Sequence, residues 1–231
     1  YIPTAIVQES VSYAVVFDLD DTLAVTDRDR ETLLSAAAER ADVPLSFDRA
    51  AYLEAHREHS GSESRRPVFD ALVGTDAPAM TQAYREVIGE ELTPVDGVEK
   101  LLTALRNRYR IGLLTDGPGA TQRDKLRRLG WEDAFDAVVI TGPLGTPKPE
   151  RRAFEAILDT LDVTPDGAVY VGDDPERDIA GAASAGLAPV QVCYPGGPAP
   201  HPDAVATVPR EDLESLLDRI ETIFHHGSEN A

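Results

Sequence analysis

Apolar residues recur along this chain in two alternating patterns. Continuous apolar runs predict buried strands, and segments with apolar residues at helical spacing predict amphipathic helices. The strands are expected at 13–18, 110–115, 137–141, 168–172 and 189–193, with a short segment at 204–208. The helices are expected at 97–107, 120–129, 150–161, 177–185 and 211–224. This alternation implies right-handed crossovers, so the predicted fold is α/β, a three-layer, doubly wound parallel sheet covered by helices on both faces.

One long segment, residues 27–91, interrupts the alternation. It contains no convincing strand and reads as four helices, at 28–41, 47–60, 66–73 and 78–90. The breaks between them are at Val43-Pro44, Gly61-Ser62 and Gly74-Thr75-Asp76. We therefore expect a core formed by residues 1–26 and 92–231, and an inserted all-helical domain formed by residues 27–91.

Three carboxylates are crowded directly after the first predicted strand. Asp18, Asp20 and Asp21 follow the apolar run 14–17. Like charges this close raise one another's pKa and destabilise the protein unless a cation or a proton neutralises them, which suggests a metal ion. Asp18 and Asp20 lie two positions apart, so at the end of an extended strand both side chains face the same way. The alternative is an acidic turn that caps the next helix, and Asp21 is expected to be structural.

Polar residues also follow the later strands. These residues are Thr115 and Asp116, then Lys148 after a Gly/Pro loop, and then Asp173, Asp174 and Asp178. Because the carboxyl ends of parallel strands face one crevice, residues far apart in the sequence can meet there. The sequence therefore predicts one site at this edge of the sheet.

The order and context of these residues resemble the haloacid dehalogenase (HAD) superfamily of phosphohydrolases. Its four motifs match Asp18-Leu19-Asp20-Asp21-Thr22, Thr115, Lys148-Pro149, and Gly172-Asp173-Asp174 with Asp178. The resemblance covers residues 13–192 apart from the insertion, and it implies a Rossmann-like core with an α-helical cap. The segment from Leu114 to Gly130 is most similar to the small-metabolite branch, which includes pyrimidine nucleotidases, phosphoglycolate phosphatases and sugar phosphatases. That branch usually has Asn at the position of Asp116, and an extra carboxylate would repel a phosphate.

The resemblance implies a reaction and a cofactor. Asp18 would attack phosphorus and form an aspartyl-phosphate, and Asp20 would act first as general acid and then as general base. The cofactor would be Mg²⁺, a hard ion that prefers oxygen ligands. Its protein ligands would be a carboxylate oxygen of Asp18, the backbone carbonyl of Asp20 and Asp173.

The remaining residues would bind phosphate or support the site. Thr115 and Lys148 would bind the phosphate, with Asp116 beside them. Asp178 would orient Lys148 or a metal-bound water. Asp174 would either supplement the metal site or cap the helix that begins near Pro175, and capping is favoured because Asp before Pro is a common helix start.

The helical insertion would close over a substrate and exclude water, although an ordinary helical embellishment is the alternative. Several basic residues in it are candidates to hold the part of the substrate beyond its phosphate. These are His56, Arg57, His59, Arg65 and Arg66.

Other reactions on this fold remain alternatives. Dehalogenation normally uses a first motif that lacks the second acidic residue, and a halide needs no proton, so Asp20 favours an alkoxide leaving group and hence a phosphoester. A phosphomutase would keep the same residues. A catalytically idle relative that binds a metabolite or partner is a further alternative, against which the intact motifs argue.

The composition limits the partners. A net charge of -19 opposes binding to nucleic acids and to anionic membranes, so a small substrate fits better. Together with the resemblance, this makes a small phosphorylated metabolite the expected partner, and the chain is expected to be a monomer or homodimer. The 22 basic residues include only three lysines, and acidity with so few lysines resembles proteins from high-salt cytoplasm. This predicts a halophilic protein, which stability measured against salt concentration would test.

The single cysteine, Cys193, excludes an internal disulfide and is expected to be a buried strand thiol. No apolar stretch is long enough to span a bilayer, and the start of the chain lacks a basic segment followed by an apolar one. The expected location is therefore the cytoplasm.

Overall fold

The computed structural model describes residues 13–59 and 63–228 of this chain, with side chains up to His225. The strands within these residues are β1 (Ala14–Phe17), β2 (Ala24–Thr26), β3 (Leu92–Pro94), β4 (Arg110–Thr115), β5 (Ala137–Ile140), β6 (Ala168–Gly172), β7 (Ala188–Cys193) and β8 (Ala206–Pro209). The α-helices are α1 (Arg30–Ala41), α2 (Arg49–Glu58), α3 (Arg66–Val73), α4 (Ala77–Glu91), α5 (Val98–Arg106), α6 (Gly119–Leu129), α7 (Thr141–Leu144), α8 (Arg151–Leu161), α9 (Gly181–Ala185) and α10 (Leu216–Ser228).

Six of these strands form one parallel sheet in the order β5-β4-β1-β6-β7-β8. The first strand lies inside the sheet, because β1 pairs with β4 on one side and with β6 on the other. Phe17, its last residue, lies opposite Leu113 and Val171. The predicted doubly wound parallel sheet is confirmed, and Asp18, the residue after β1, lies where three strands end side by side.

Both faces of this sheet are buried. Alternate residues of β1 enter different cores, since successive side chains of a strand point to opposite faces. Val15 and Phe17 pack in a core with α5, α6 and α10, whereas Ala14 and Val16 pack in a second core with α8 and α9. Two covered faces explain why β1 is a continuous apolar run rather than an alternating one.

The helical insertion has an apolar core of its own. Tyr52, Phe69 and Tyr84 from α2, α3 and α4 pack with ring centroids 5.5–6.0 Å apart. Small and aliphatic residues of α1 complete this core. Two short antiparallel strands, β2 and β3, pair where the chain enters and leaves the insertion. Neither was predicted, because three residues are too few to show a periodicity.

The structure differs from the predicted elements at several ends. A short helix, α7, replaces the Gly/Pro loop expected directly after the fifth strand. The helix predicted at 177–185 begins at Pro175 with a π-helical turn, and the helix predicted at 211–224 is broken at Asp212, whose φ is -136° and ψ 54°. The predicted helix 47–60 is observed as α2, and Ser60 and the predicted Gly61-Ser62 break lie outside the described residues.

Among the residues that the structure describes, no helix combines the length and the apolar character needed to cross a bilayer.

Candidate functional site

A cavity of about 210 Å³ lies between the helical insertion and the carboxyl ends of β1, β4 and β6. The core contributes most of the polar residues that line this cavity. Most of the site residues predicted from the sequence are among these lining residues. These are Asp18, Asp20, Thr115, Asp116, Lys148, Asp173 and Asp178. Asp21, which was expected to be structural, also lines the cavity. The predicted convergence of polar residues from separate strands is therefore observed.

A buried lysine lies at the centre of the site. Lys148 Nζ donates to Asp18 Oδ1 at 2.7 Å, to Asp178 Oδ1 at 2.6 Å and to the Tyr170 hydroxyl at 3.1 Å. Burial alone would lower the pKa of Lys148, but the two adjacent carboxylates, Asp178 and Asp18, raise it well above its usual range. The ammonium group therefore stays charged, and it holds the Asp18 carboxylate in place.

The backbone of β6 allows Asp178 to come this close. A side chain at Gly172 would place its Cβ 2.5 Å from the carboxyl carbon of Asp178. Asp178 is 1% exposed, and its second oxygen accepts a hydrogen bond from the Asp174 backbone N–H at 3.0 Å. Only glycine at position 172 leaves room for this carboxylate behind Lys148.

A second lysine, which the sequence analysis did not assign to the site, contacts Asp20. Lys125 Nζ lies 2.6 Å from both carboxylate oxygens of Asp20. Gln122, one turn earlier on α6, donates to Asp20 Oδ2 at 3.1 Å and to the Thr115 hydroxyl at 2.6 Å. Although burial alone would raise the pKa of Asp20, the charge of Lys125 and these hydrogen bonds lower it. Its carboxylate is therefore held in the charged form.

Three carboxylates could hold a metal ion. One oxygen each of Asp18, Asp173 and Asp178 lie within 4.8 Å of one another. Both oxygens of Asp178 already accept hydrogen bonds, from Lys148 and from the Asp174 backbone. Asp18 and Asp173 are thus the side chains best placed to contact an ion.

The buried carboxylates around Asp173 change its pKa. Burial, followed by the charges of Asp178 and Asp21, raises the pKa of Asp173 to about 7. The hydroxyl groups of Tyr194 and Thr22 donate to it at 3.2 and 3.4 Å. A cation at this position would relieve the repulsion, so the donor set and its charge both fit a hard divalent ion.

We predict that the electrostatic repulsion around Asp173 lowers the free energy of unfolding as the pH rises. Because the pKa of Asp173 is about 7 in the folded chain and about 4 when unfolded, the folded state binds more protons between these values. In the presence of a chelator, the free energy of unfolding should therefore decrease from pH 4 to pH 7. Asp173→Asn should be nearly equal to the parent at pH 4 and more stable by about 4 kcal/mol at pH 8, because the two pKa values differ by about three and each unit corresponds to about 1.4 kcal/mol. Urea unfolding at both pH values measures this, and an equal effect at pH 4 would contradict it.

The carboxylates of Asp116 and Asp174 accept hydrogen bonds from other groups of the protein. Asp116 Oδ1 accepts hydrogen bonds from the Thr141 hydroxyl at 2.8 Å and the Lys148 backbone at 3.1 Å. Its other oxygen faces Arg177 at 3.7 Å, which offsets the repulsion that a carboxylate would exert on a phosphate. Asp174 Oδ1 accepts from the backbone N–H groups of the following turn, so it caps that turn, as the sequence favoured.

The insertion contributes fewer basic residues than the sequence suggested. Of the five candidates, only His56 and Arg65 line the cavity. Arg57 pairs with Glu54 and Arg66 with Asp70 on exposed surface, and His59 is also exposed. The basic and aromatic residues of the lining that were not expected there from the sequence are Arg30, Tyr84, Lys125 and Arg177. The sequence could have pointed to Lys125, because it is one of only three lysines and lies in the segment that resembles the family. Arg30, Tyr84 and Arg177 have no distinctive spacing that could have revealed them.

Comparison with known proteins agrees with this geometry. The family model described as haloacid dehalogenase-like hydrolase matches residues 14–186. A glyceraldehyde 3-phosphate phosphatase from Pyrococcus abyssi is 32% identical over 94% of this chain and 95% of its own length. Pyrimidine 5'-nucleotidase YjjG from Escherichia coli is 37% identical, but over only 47% of this chain and 49% of the relative.

A solved structure shows the same fold. The HAD-hydrolase YfnB from Bacillus subtilis, bound to magnesium, superimposes with a TM-score of 0.68 at 22% identity, over 92% of this chain and 100% of that one. The extent of the family match and the near full-length relative lead to one conclusion: this chain belongs to the haloacid dehalogenase-like hydrolase family.

Proposed function

We propose that this chain is a Mg²⁺-dependent phosphohydrolase that cleaves a small phosphorylated metabolite through an aspartyl-phosphate on Asp18. The observation that supports this most directly is the buried contact of 2.7 Å between Lys148 Nζ and Asp18 Oδ1, beside the carboxylate of Asp173. A carboxylate held by one cation and adjacent to a place for another can approach an anionic phosphate.

The residues present fit Mg²⁺. Asp18 and Asp173 would hold the ion with their carboxylates, and Asp20 with its backbone carbonyl. When bound, the ion supplies positive charge that offsets the repulsion between a phosphate and the carboxylates around it.

The attacking and stabilising groups act at the phosphorus. Asp18 attacks with one carboxylate oxygen, and the bond from phosphorus to the leaving oxygen breaks. Lys148 contacts the nucleophile and balances charge on the phosphoryl group. Thr115, 1% exposed at the end of β4, presents its hydroxyl to a phosphate oxygen, and Gln122 orients that hydroxyl. Each donor is in place before the substrate arrives, so little reorganisation is needed.

Asp20 moves the protons. The negative charge of a bound phosphoester raises the pKa of Asp20 from its lowered value in the free protein, so that it can carry a proton. It gives this proton to the leaving oxygen and then accepts one from the water that hydrolyses the aspartyl-phosphate. Lys125 and Gln122 hold the carboxylate in one orientation during both transfers.

The helical insertion, residues 27–91, would act as a cap over the core formed by the rest of the chain. It covers the cavity opposite the sheet, and the short β2–β3 ribbon joins it to the core. A cover of this kind excludes bulk water from the phosphoryl group. The two named relatives act on a triose phosphate and on pyrimidine nucleotides, which supports a small phosphorylated metabolite as the substrate here.

The proposal is tested with aryl and alkyl phosphates of matched size. We expect Mg²⁺-dependent hydrolysis of both and loss of activity with excess chelator. Asp20→Asn should reduce kcat by about 10²–10⁴-fold for an alkyl phosphate but by far less for p-nitrophenyl phosphate, because a good leaving group needs no proton. Steady-state kinetics measures both. Equal losses would remove the acid role of Asp20, and no turnover of any phosphoester would overturn the proposed function.

A further inference from the structure

The side of the cavity that the insertion forms differs in charge from the side that the core forms. Among the described residues, all six carboxylates that line it belong to the core, and the charged residues from the insertion are two arginines, Arg30 and Arg65. The net charge of the chain is -19, so the absence of a carboxylate from the described lining on the insertion side is a marked departure. A neutral leaving group would not require it.

Arg65 is partly buried, and two of its buried nitrogen atoms lack an acceptor. Its Nε and Nη1 atoms have no hydrogen-bond partner among the described residues, and its guanidinium lies over the Tyr84 ring, 5.5 Å from the centroid. Other arginines of the insertion, such as Arg40 and Arg66, form ion pairs with carboxylates at 2.7 and 2.6 Å. Unsatisfied buried donors destabilise a protein, most of all on a charged group, so a ligand that supplies acceptors would relieve this arrangement.

The protein holds this residue close to the cavity. Two positions earlier, the Glu63 carbonyl accepts a hydrogen bond from the Ala120 backbone N–H at 3.0 Å, and the Glu63 carboxylate pairs with Arg123 at 2.5 Å. These contacts attach the segment before α3 to the amino-terminal end of α6. Arg65 therefore reaches the cavity from a segment anchored to the core, not from a free loop.

Arg65 lies on the leaving-group side of the site. Its charge acts on Asp20 and on Lys125, and the segment that carries it is hydrogen-bonded to the helix of Lys125, α6. Lys148 instead contacts Asp18, the attacking group. Asp20 is the residue proposed to protonate the leaving oxygen. What lies beyond Asp20 is therefore the leaving group, and Arg65 is placed to contact it.

Several cations meet at this position. His56, also from the insertion, has its pKa lowered to about 4 by burial and then by the charges of Arg65, Arg30 and Arg177. The charges of all three guanidinium groups therefore reach the part of the cavity beside His56. A cavity of about 210 Å³, the volume of about seven liquid waters, has room for a compact molecule with one further charged group.

We infer that the substrate carries a second anionic group, a carboxylate or a second phosphate, on the leaving-group side of its phosphoester, and that Arg65 together with Arg30 binds this group. The inference rests on the proposed function. Paired guanidinium donors suit both kinds of oxyanion, and binding one would satisfy the buried nitrogen atoms of Arg65.

Matched substrate pairs test this. One pair is 3-phosphoglycerate and glycerol 3-phosphate, which differ in a carboxylate; the other is 1,3-propanediol bisphosphate and 1,3-propanediol monophosphate, which differ in a second phosphate. In at least one pair, we expect kcat/KM to be higher by about 10²-fold or more for the member that carries the second anionic group. The pair with the larger preference identifies the second group. Equal kcat/KM within both pairs would overturn the inference.

Variants show whether Arg65 is responsible. Arg65→Met should lower kcat/KM by about 10²-fold, mainly through KM, for the substrate with the second anionic group. For the matched substrate that lacks this group, kcat/KM should change less than about 3-fold. Arg65→Lys should restore part of the difference. Arg66→Met, which removes the adjacent exposed arginine, is the control and should alter neither substrate. Equal losses for both members of the pair in Arg65→Met would show a merely structural role.

A binding measurement separates this inference from the proposed function. Calorimetric titration of Asp18→Asn with the members of both pairs requires no turnover. The member with the second anionic group should bind more tightly, and Arg65→Met in that background should remove the preference. If the parent chain turns over no phosphoester but the Asp18→Asn variant still prefers the ligand with the second anionic group, the proposed function fails and the second anion site stands. Equal affinities would refute the site whatever the activity.

Discussion

Asp18→Asn should abolish hydrolysis of phosphoesters, with kcat reduced by about 10⁴-fold or more. An amide of the same size fills the same space but is not a nucleophile towards phosphorus. The fold should survive, because Lys148 keeps its contact with Asp178 at 2.6 Å. We expect the free energy of unfolding to change by less than about 2 kcal/mol.

Two measurements check this result. Steady-state kinetics with p-nitrophenyl phosphate gives the loss of activity, and an acid quench with ³²P-labelled substrate should leave label on the parent protein but none on the variant. Asp162→Asn is a matched control, since it is a carboxylate with a side chain 94% exposed and lies outside the cavity lining. Turnover by Asp18→Asn at a tenth of the parent rate would refute the nucleophilic role.

Lys148→Met should lose both activity and stability. The substitution leaves Asp18 and Asp178 buried and facing each other without their shared cation, and breaking such a buried arrangement costs about 3–5 kcal/mol. Activity should decrease by about 10³-fold or more, since charge on the phosphoryl group loses its fixed donor. Urea unfolding and kinetics at saturating Mg²⁺ measure the two effects.

A double variant separates these two roles of Lys148. Adding Asp178→Asn to Lys148→Met removes one of the two uncompensated charges, so it should recover a large part of the lost stability but none of the activity. Lys100→Met is the control, because Lys100 is an exposed lysine paired with Glu214. If the double variant regained activity, Lys148 would serve only to neutralise Asp178.

The main elements of the core were predictable because they depend on local patterns. The run 14–17 is apolar at every position because β1 is buried on both faces. An unbroken apolar run of this kind can be recognised in the sequence without the structure. The missed elements, β2, β3 and α7, have three or four residues each. Elements so short exist because of their tertiary contacts, and they carry no periodicity that could reveal them.

The candidate site was predictable to a different degree on its two sides. Asp18, Lys148 and Asp173 follow strands whose parallel order could be inferred, so their meeting could be expected. Lys125 and Arg65 lie on or beside helices, where nothing in the local pattern shows which face they present. Only the packing of α6 and of the insertion against the sheet places them beside Asp20.

The sequence by itself determined the alternation of strands and helices, the helical insertion and the core carboxylates with their lysine, because backbone hydrogen bonding and burial leave a periodic record in the chain. The tertiary structure alone decided which further cations, beyond Lys148, face those carboxylates. Contacts such as Lys125 with Asp20 join residues 105 positions apart, and their energy depends on distance and burial, which no local pattern encodes.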